Sequence, residues 1–459
     1  MNQETTNEQI KNLLKKQRLF FATNKTKEIN FRVEQLKRLE EAINKYEKSL
    51  TDALFVDLHK SYEESYLTEI GVIKNELKNH IKHVRKWSKT RKVKTPVHLF
   101  PSKSYIKYEP FGVSLIVAPW NYPVQLLINP LIGAISAGCC AILKPSPYTP
   151  NVAKVLIQMI NETFPEEYVG ITFGGRDVNK MLLEQHFDMI FFTGSPQLGK
   201  IVMMEASKNL TPVVLELGGK SPCIVDKDAD INIAAKRIVW GKMINAGQTC
   251  IAPDYLFVHS SVKKELLEKM IENIKSMYGE NHKESVYFPR IVNDKAMERL
   301  TKLLKDGEII YGGDIDFEER YISPTIIDNV EEDFPIMKEE IFGPILPVLT
   351  FENINDVLEY VNNHEKPLAF YYFGKNKKAW EILDKSTSGG ACINDTLMHF
   401  TNDNLPFGGV GNSGMGKYHG FESFKAFSNM RGIVKTTTKI NISQKYAPYK
   451  QFNMIKKIF

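Results

Sequence analysis

The chain has 459 residues, 43% hydrophobic and 25% charged, with 60 Lys and Arg against 54 Asp and Glu. That length exceeds a single hydrophobic core, so two or three domains are expected, and the composition excludes a disordered or fibrous chain. A formal charge of +6 is mild for this size. It favours anionic ligands without calling for nucleic acid.

The opening "MNQETTNEQIKNLLKKQRLF" carries charges throughout and has no apolar signal core. No run approaches the ~18 apolar residues of a membrane span, so a cytoplasmic protein is expected. Residues 1–91 read as helical: Phe31, Val33, Leu36, Leu39, Ile43, Tyr46 and Leu50 recur at steps of mostly three and four, one apolar helix face. Seven Lys or Arg lie between Lys82 and Lys94 and are read as a solvated surface. His80 and His83 share a helix face. With no acidic or third histidine partner nearby in sequence, no metal site is expected there.

From Val113 the texture changes. "VSLIVA", "CCAILK", "GITFGG", "DMIFFTGS" and "TPVVLEL" read as buried strands. Between them "PVQLLINPLIGAISAG", "NVAKVLIQMINETF", "DVNKMLLEQH" and "PQLGKIVMMEASKNL" read as helices. Apolar strands alternating with helices predict a parallel sheet covered on both faces, with ligands at the carboxyl ends of its strands. A second α/β stretch follows, with "CIVD", one long helix "DINIAAKRIVWGKMINAG", the strand "YLFVH" and the helix "KKELLEKMIENIKSMYG". The chain closes with glycine-rich loops, a strand-like "RGIVKTTTKINIS" and the short basic, apolar "FNMIKKIF". That tail is expected to pack on the body, with weak peripheral membrane contact as the alternative.

The five cysteines include no CxxC pair, and an odd number argues against a disulfide scaffold. Cys139, Cys140, Cys223 and Cys392 lie in apolar strands, where cysteine is a small hydrophobe. Cys250, in "INAGQTCIAPD", has the polar, glycine-marked setting of a nucleophile. A thiol needs help to ionise, and Lys242 at the end of the preceding helix is the candidate cation. Thiol attack on a carbonyl makes an oxyanion, and Asn121 in "VAPWNYP" is a candidate donor, or else a loop residue bonding its own backbone. In "FFTGSPQLGK", Ser195 is a natural N-cap and Pro196 a natural first helical residue, and the free N–H groups there suit a phosphate. The spacing is not the dinucleotide fingerprint, and a purely structural turn would read the same. Lys144, after a buried strand, would reach ribose hydroxyls or a phosphate, or be a solvated strand end. Glu216, before two glycines, is a candidate general base or a surface acid.

Together, "APWNYP", "LKPS", "FTGSPQLGK", "LELGGKSP", "NAGQTC", "EEIFGP" and "LPFGGVGNSGMGKYHG" resemble the aldehyde dehydrogenase superfamily, in that order, from Glu109 to Gly432. The short amino-terminal region, "TPVVLELGGKSPCIVD" and "GNSGMGKYHG" look most like its class 3 branch, which acts on fatty and aromatic aldehydes. The resemblance implies an α/β fold with a Rossmann-type cofactor domain (1–91 and 112–216), an α/β catalytic domain (217–395) and a small β bridging element (92–111 and 433–442). Loops at 396–432 would return to the cofactor domain and active site. It implies Cys250 as nucleophile, Glu216 as base and Asn121 as oxyanion donor. Lys144, Gly194, Ser195, Pro196, Gln197, Leu198, Gly199, Glu340 and Phe342 would bind NAD, with no metal. It further implies a homodimer and a small-molecule substrate, an apolar aldehyde of medium- or long-chain aliphatic, aromatic or isoprenoid type that is oxidised to its acid, with no nucleic acid. Many members carry glutamate after "KPS"; here Pro147 stands in its place, which leaves NADP open. An acylating or semialdehyde-type dehydrogenase and a catalytically silent binding protein are the competing readings.

Overall fold

The computed structural model describes residues 4–450 and 452–456. Two parallel-rich sheets dominate it. The first runs, in spatial order, Gly414–Met415, Val213–Glu216, Met189–Thr193, Val113–Val117, Cys140–Lys144, Val169–Ile171, and is parallel except at Gly414–Met415. The chain leaves its central strand Val113–Val117 first to one side and then to the other. This is the doubly wound plan, whose crevice opens at the carboxyl strand ends. Val117 pairs with Lys144 and Thr193 with Glu216, so Asn121, Lys144, Gly194 and Glu216 all leave the same edge.

The second sheet has the order Glu308–Tyr311, Thr325–Asp328, Ile345–Phe351, Tyr255–His259, Pro222–Val225, Ala369–Phe373, Gly390–Ile393. Cys250 lies just before its strand Tyr255–His259, and Glu340 just before Ile345–Phe351. Central strands of both sheets are buried along their whole length, as their unbroken apolar runs require. Helix Asn7–Ala22 packs on the first sheet, Ile29–Leu58 packs on helices Pro150–Thr163 and Gln125–Ala137, and Gly71–Trp87 packs on Gln125–Ala137; Leu36, Leu39, Ile43 and Leu50 are fully buried, as the periodicity predicts.

A third, three-stranded antiparallel sheet joins Arg91–Val93, Lys103–Pro110 and Ser428–Lys435. Its last strand begins before, and ends short of, the 433–442 expected. It is zipped to Lys103–Pro110 in register from Ser428 onward, and the ladder ends where that partner ends. The helix from Ile231 stops at Met243 instead of running to Gly247, because Asn245 and Ala246 take left-handed conformations (φ 52° and 50°). Of the closing segment "FNMIKKIF", Phe452, Asn453 and Lys456 are exposed, while Lys457 to Phe459 lie outside the described residues. His80 does have an acidic neighbour. Its Nε2 meets Glu76 Oε1 at 2.9 Å, one helical turn back, and its Nδ1 meets Ser136 at 2.6 Å. His83 instead turns to Asn79. The two histidines therefore serve separate hydrogen bonds. Among the described residues, no helix is long and apolar enough to cross a membrane.

Candidate active site

The turn that carries Cys250 is strained and held from several sides. Two successive non-glycine residues in the left-handed region cost about 1–2 kcal/mol each. The carbonyls they expose are used: Gln248 Nε2 donates to Asn245 O and Arg290 O at 3.0 Å each, and Gln248 Oε1 accepts from Val292 N. Gly247 (φ 72°) must be glycine, since a Cβ there would sit 2.1 Å from Gly343 O. The "NAGQTC" and "EEIFGP" segments thus touch backbone to backbone. Thr249 is tied to Tyr122 by a 2.6 Å hydroxyl contact.

Asn121 is buried beside this turn, its Nδ2 donating to Gln248 O at 3.0 Å. Its own carbonyl accepts from Lys60 Nζ (3.0 Å) and Asn245 Nδ2 (2.9 Å). Glu216 is buried at the end of its strand, and neither carboxylate oxygen has a hydrogen-bond partner among the described residues. Burial therefore pushes its carboxyl well above the usual carboxylate range, against the weaker pull of Lys417. Cys250 is half-buried. Burial, then the negative charges of Glu340 and Glu216, push its thiol up; the Cys250 and Ile251 backbone N–H groups pull it down. The proposed helper, Lys242, does not act on it. Lys242 is fully buried with an unpartnered Nζ, pushed down to about 8 by burial, and its charged neighbours are Asp254, Lys220, Glu340 and Arg299.

Two cavities meet this region. The first, of about 450 Å³, has Cys250 in its wall among Leu126, Trp240, Met277, Tyr287, Met398 and Phe400. The second, of about 720 Å³, brings Ser195, Pro196 and Gln197 opposite Glu340 and is rimmed by Lys200, Lys220, Lys295, Arg299 and Lys338. Ser195 caps its helix as expected, accepting from Leu198 N, with Pro196 at the first position. The other expected contacts are supports, not walls, of that cavity. Gly194 and Gly199 have no room for a Cβ, which would strike Phe192 and Leu217. Leu198 is exposed, outside the lining. Lys144 is buried with Nζ on Pro145 O, pushed down to about 8 by burial. Phe342 packs edge-on against Trp120 at 5.4 Å. Burial raises Glu340 to about 8, with Asp254 adding and Gly219 N–H, Lys220 and Arg299 opposing. A Cβ on Gly218 would collide with the Glu340 carboxylate, so the first glycine of "LELGG" clears its path. A cation-rimmed cavity with a free helix N-terminus fits a dinucleotide pyrophosphate. A thiol faced only by acids fits a cationic ring.

A thiol in the wall of an apolar cavity, and a separate charged cavity at a helix start on the carboxyl edge of a doubly wound sheet, are the features of a cofactor-dependent oxidoreductase. Residues 2–433 match the aldehyde dehydrogenase family, and the chain belongs to it. The chain is 48% identical over 444 residues (96% of it, 97% of the relative) to 4,4'-diaponeurosporen-aldehyde dehydrogenase of Staphylococcus aureus. It is 42% identical over 426 residues (93% and 94%) to the rat (Rattus norvegicus) "aldehyde dehydrogenase, dimeric NADP-preferring". Among solved structures it superposes on the substrate-bound state of Staphylococcus aureus AldH with a TM-score of 0.96, 47% identity and full coverage of both chains. The class 3 likeness of the motifs holds, since further relatives bear the family 3 designation. The chain is an aldehyde-oxidising enzyme.

Proposed function

We propose that the chain oxidises an apolar aldehyde of medium or long aliphatic, aromatic or isoprenoid type to its carboxylic acid, with NAD or NADP, through a thioester on Cys250. The observation that carries this reading is the placement of Cys250 in the wall of a cavity lined by aliphatic and aromatic side chains, while the cations line the other cavity. The Cys250 sulfur adds to the carbonyl carbon, and the carbonyl electron pair moves to oxygen. Asn121 Nδ2–H and the Cys250 backbone N–H stabilise that oxyanion. A nicotinamide bound beside Cys250 would supply the acceptor for this carbon's hydride, leaving a thioester on Cys250, and a positive charge next to the thiol. Glu216 then takes a proton from water, whose oxygen adds to the thioester carbon and expels the sulfur as thiolate.

Ser195, Pro196 and Gln197, on Gly194 and Gly199, would hold the pyrophosphate, Lys144 the adenosine ribose, and Glu340 the nicotinamide ribose. Residues 1–91 and 112–216 would form the cofactor domain, 217–395 the catalytic domain, and the three-stranded sheet the bridging element. Met430 and Val434 are exposed on the last strand of that sheet, as in a surface that pairs with a second copy. The dimeric rat relative supports a homodimer, checked by light scattering on the purified protein. The protein is read as cytoplasmic. The exposed apolar tail supports weak peripheral contact with membranes, where such aldehydes partition.

The test is NADH and NADPH formation over aldehydes from acetaldehyde to long-chain, aromatic and polyene ones. Turnover that improves with apolar length supports the reading. None with any of them, in a folded protein with a titratable Cys250, overturns it. The acylating alternative predicts acyl transfer to a thiol such as coenzyme A in place of hydrolysis.

A further inference from the structure

Resting on the reading of Asn121 as oxyanion donor, we propose that Lys60 and Glu69 are positioning residues that set this donor against the Cys250 turn. They lie far from every motif named above, on the segment between helices Ile29–Leu58 and Gly71–Trp87. Lys60 Nζ and Glu69 Oε1 form an ion pair at 2.7 Å with both side chains fully buried. Neither half is idle. Lys60 Nζ also donates to Asn121 O at 3.0 Å and lies 4.1 Å from the centre of the Tyr122 ring. Glu69 Oε2 accepts from Val124 N (2.8 Å) and Gln125 N (3.1 Å), the open start of helix Gln125–Ala137. The pair thus grips the loop 121–125 at both ends.

The same segment reaches the other side of the site. Glu64 Oε1 accepts from Asn245 N at 2.8 Å, and Asn245 Nδ2 donates to Asn121 O (2.9 Å) and Gln248 O (3.1 Å). Asn121 Nδ2 closes the ring on Gln248 O. Glu64 and Glu69 are five residues apart, a spacing that an α-helix turns to different faces. Here the turn Tyr66–Ile70 is a π-helix, with Gly71 N bonded to Tyr66 O, and such a turn aligns residues five apart. Gly71 permits it, since a Cβ there would stand 2.9 Å from Tyr66 O. A buried ion pair is a poor source of stability but a specific one of geometry, and taking one partner leaves the other charge unpaired.

The experiment uses the full-length enzyme with hexanal and the preferred cofactor. Two readouts are taken: steady-state kinetics, and the rate at which iodoacetamide alkylates Cys250, a reaction that makes no oxyanion. Lys60→Met is expected to lower kcat about 100-fold with KM and the alkylation rate changed by no more than about twofold. Asn121→Ala should do the same. The double variant should lose no more than Asn121→Ala alone, because both remove one device. Glu69→Gln keeps the shape of the pair and carries the same test should Lys60→Met fail to fold; its kcat is expected to fall about tenfold. Unchanged kcat in Glu69→Gln and Lys60→Met while Asn121→Ala is impaired overturns the proposal alone, as does a double variant whose losses multiply. Full activity in Asn121→Ala overturns the oxyanion reading beneath it.

Discussion

The two cavities beside Cys250 are opposites in chemistry. One is walled by Trp240, Met277, Tyr287, Met398 and Phe400; the other is rimmed by five cations and Glu340. Their contrast teaches how one chain keeps an apolar surface, which holds Cys250, apart from a charged one at the start of the helix from Pro196. The apolar side gains by excluding water from the reacting carbon. Two buried acids, Glu340 in the wall of the charged cavity and Glu216 at the end of its strand, both have raised affinity for protons because burial disfavours their charge.

Removing the thiol from the apolar wall has the largest expected effect. Cys250→Ser should cut dehydrogenase turnover by at least about 10³-fold with folding and cofactor binding intact, checked by circular dichroism and NADH fluorescence titration. Glu216→Gln should come next, at about 10²- to 10⁴-fold in steady-state turnover, while a first burst of NAD(P)H persists in stopped flow. The same residue gives a pH signature. Burial raises its affinity for the proton, and only the carboxylate can take a proton from water. Hydrolysis should therefore speed up as pH rises, and Glu216→Gln should flatten that limb.

Each cavity can then be altered by itself. Glu340→Gln should raise KM for the cofactor about tenfold and leave KM for the aldehyde unchanged, since it removes one charged hydrogen bond on the polar side only. Met277→Ala should lower kcat/KM about 5- to 10-fold for long aldehydes and little for acetaldehyde, with KM for the cofactor constant. Equal effects of both variants on both reactants would show that the cavities are not separate.

Much of this site is legible in residue order. Ser195 with Pro196 states a helix start, and apolar strand runs state a buried parallel sheet. The glycines of "LELGG" and "NAGQTC" reflect contacts that only a missing Cβ allows, Gly218 with Glu340 and Gly247 with Gly343. Lys242 shows the limit. Eight positions before the nucleophile, it reads as a helper, yet two left-handed residues redirect the chain and leave it among Asp254, Lys220 and Arg299. Glu76 was equally hidden as the partner of His80, although an i,i+4 pair on a helix was there to be read.

What the sequence by itself determined is the alternation of elements, the caps and the reactive residue types, because these depend on neighbours within a turn or two of chain. Only the tertiary structure decided that Lys60, Glu64 and Glu69 meet Asn121 and Asn245, which cavity each candidate faces, and that Lys144 is buried. Those facts depend on groups brought together from distant segments, and on burial, which sets the charge of Glu216 and Cys250 more strongly than any neighbour in sequence.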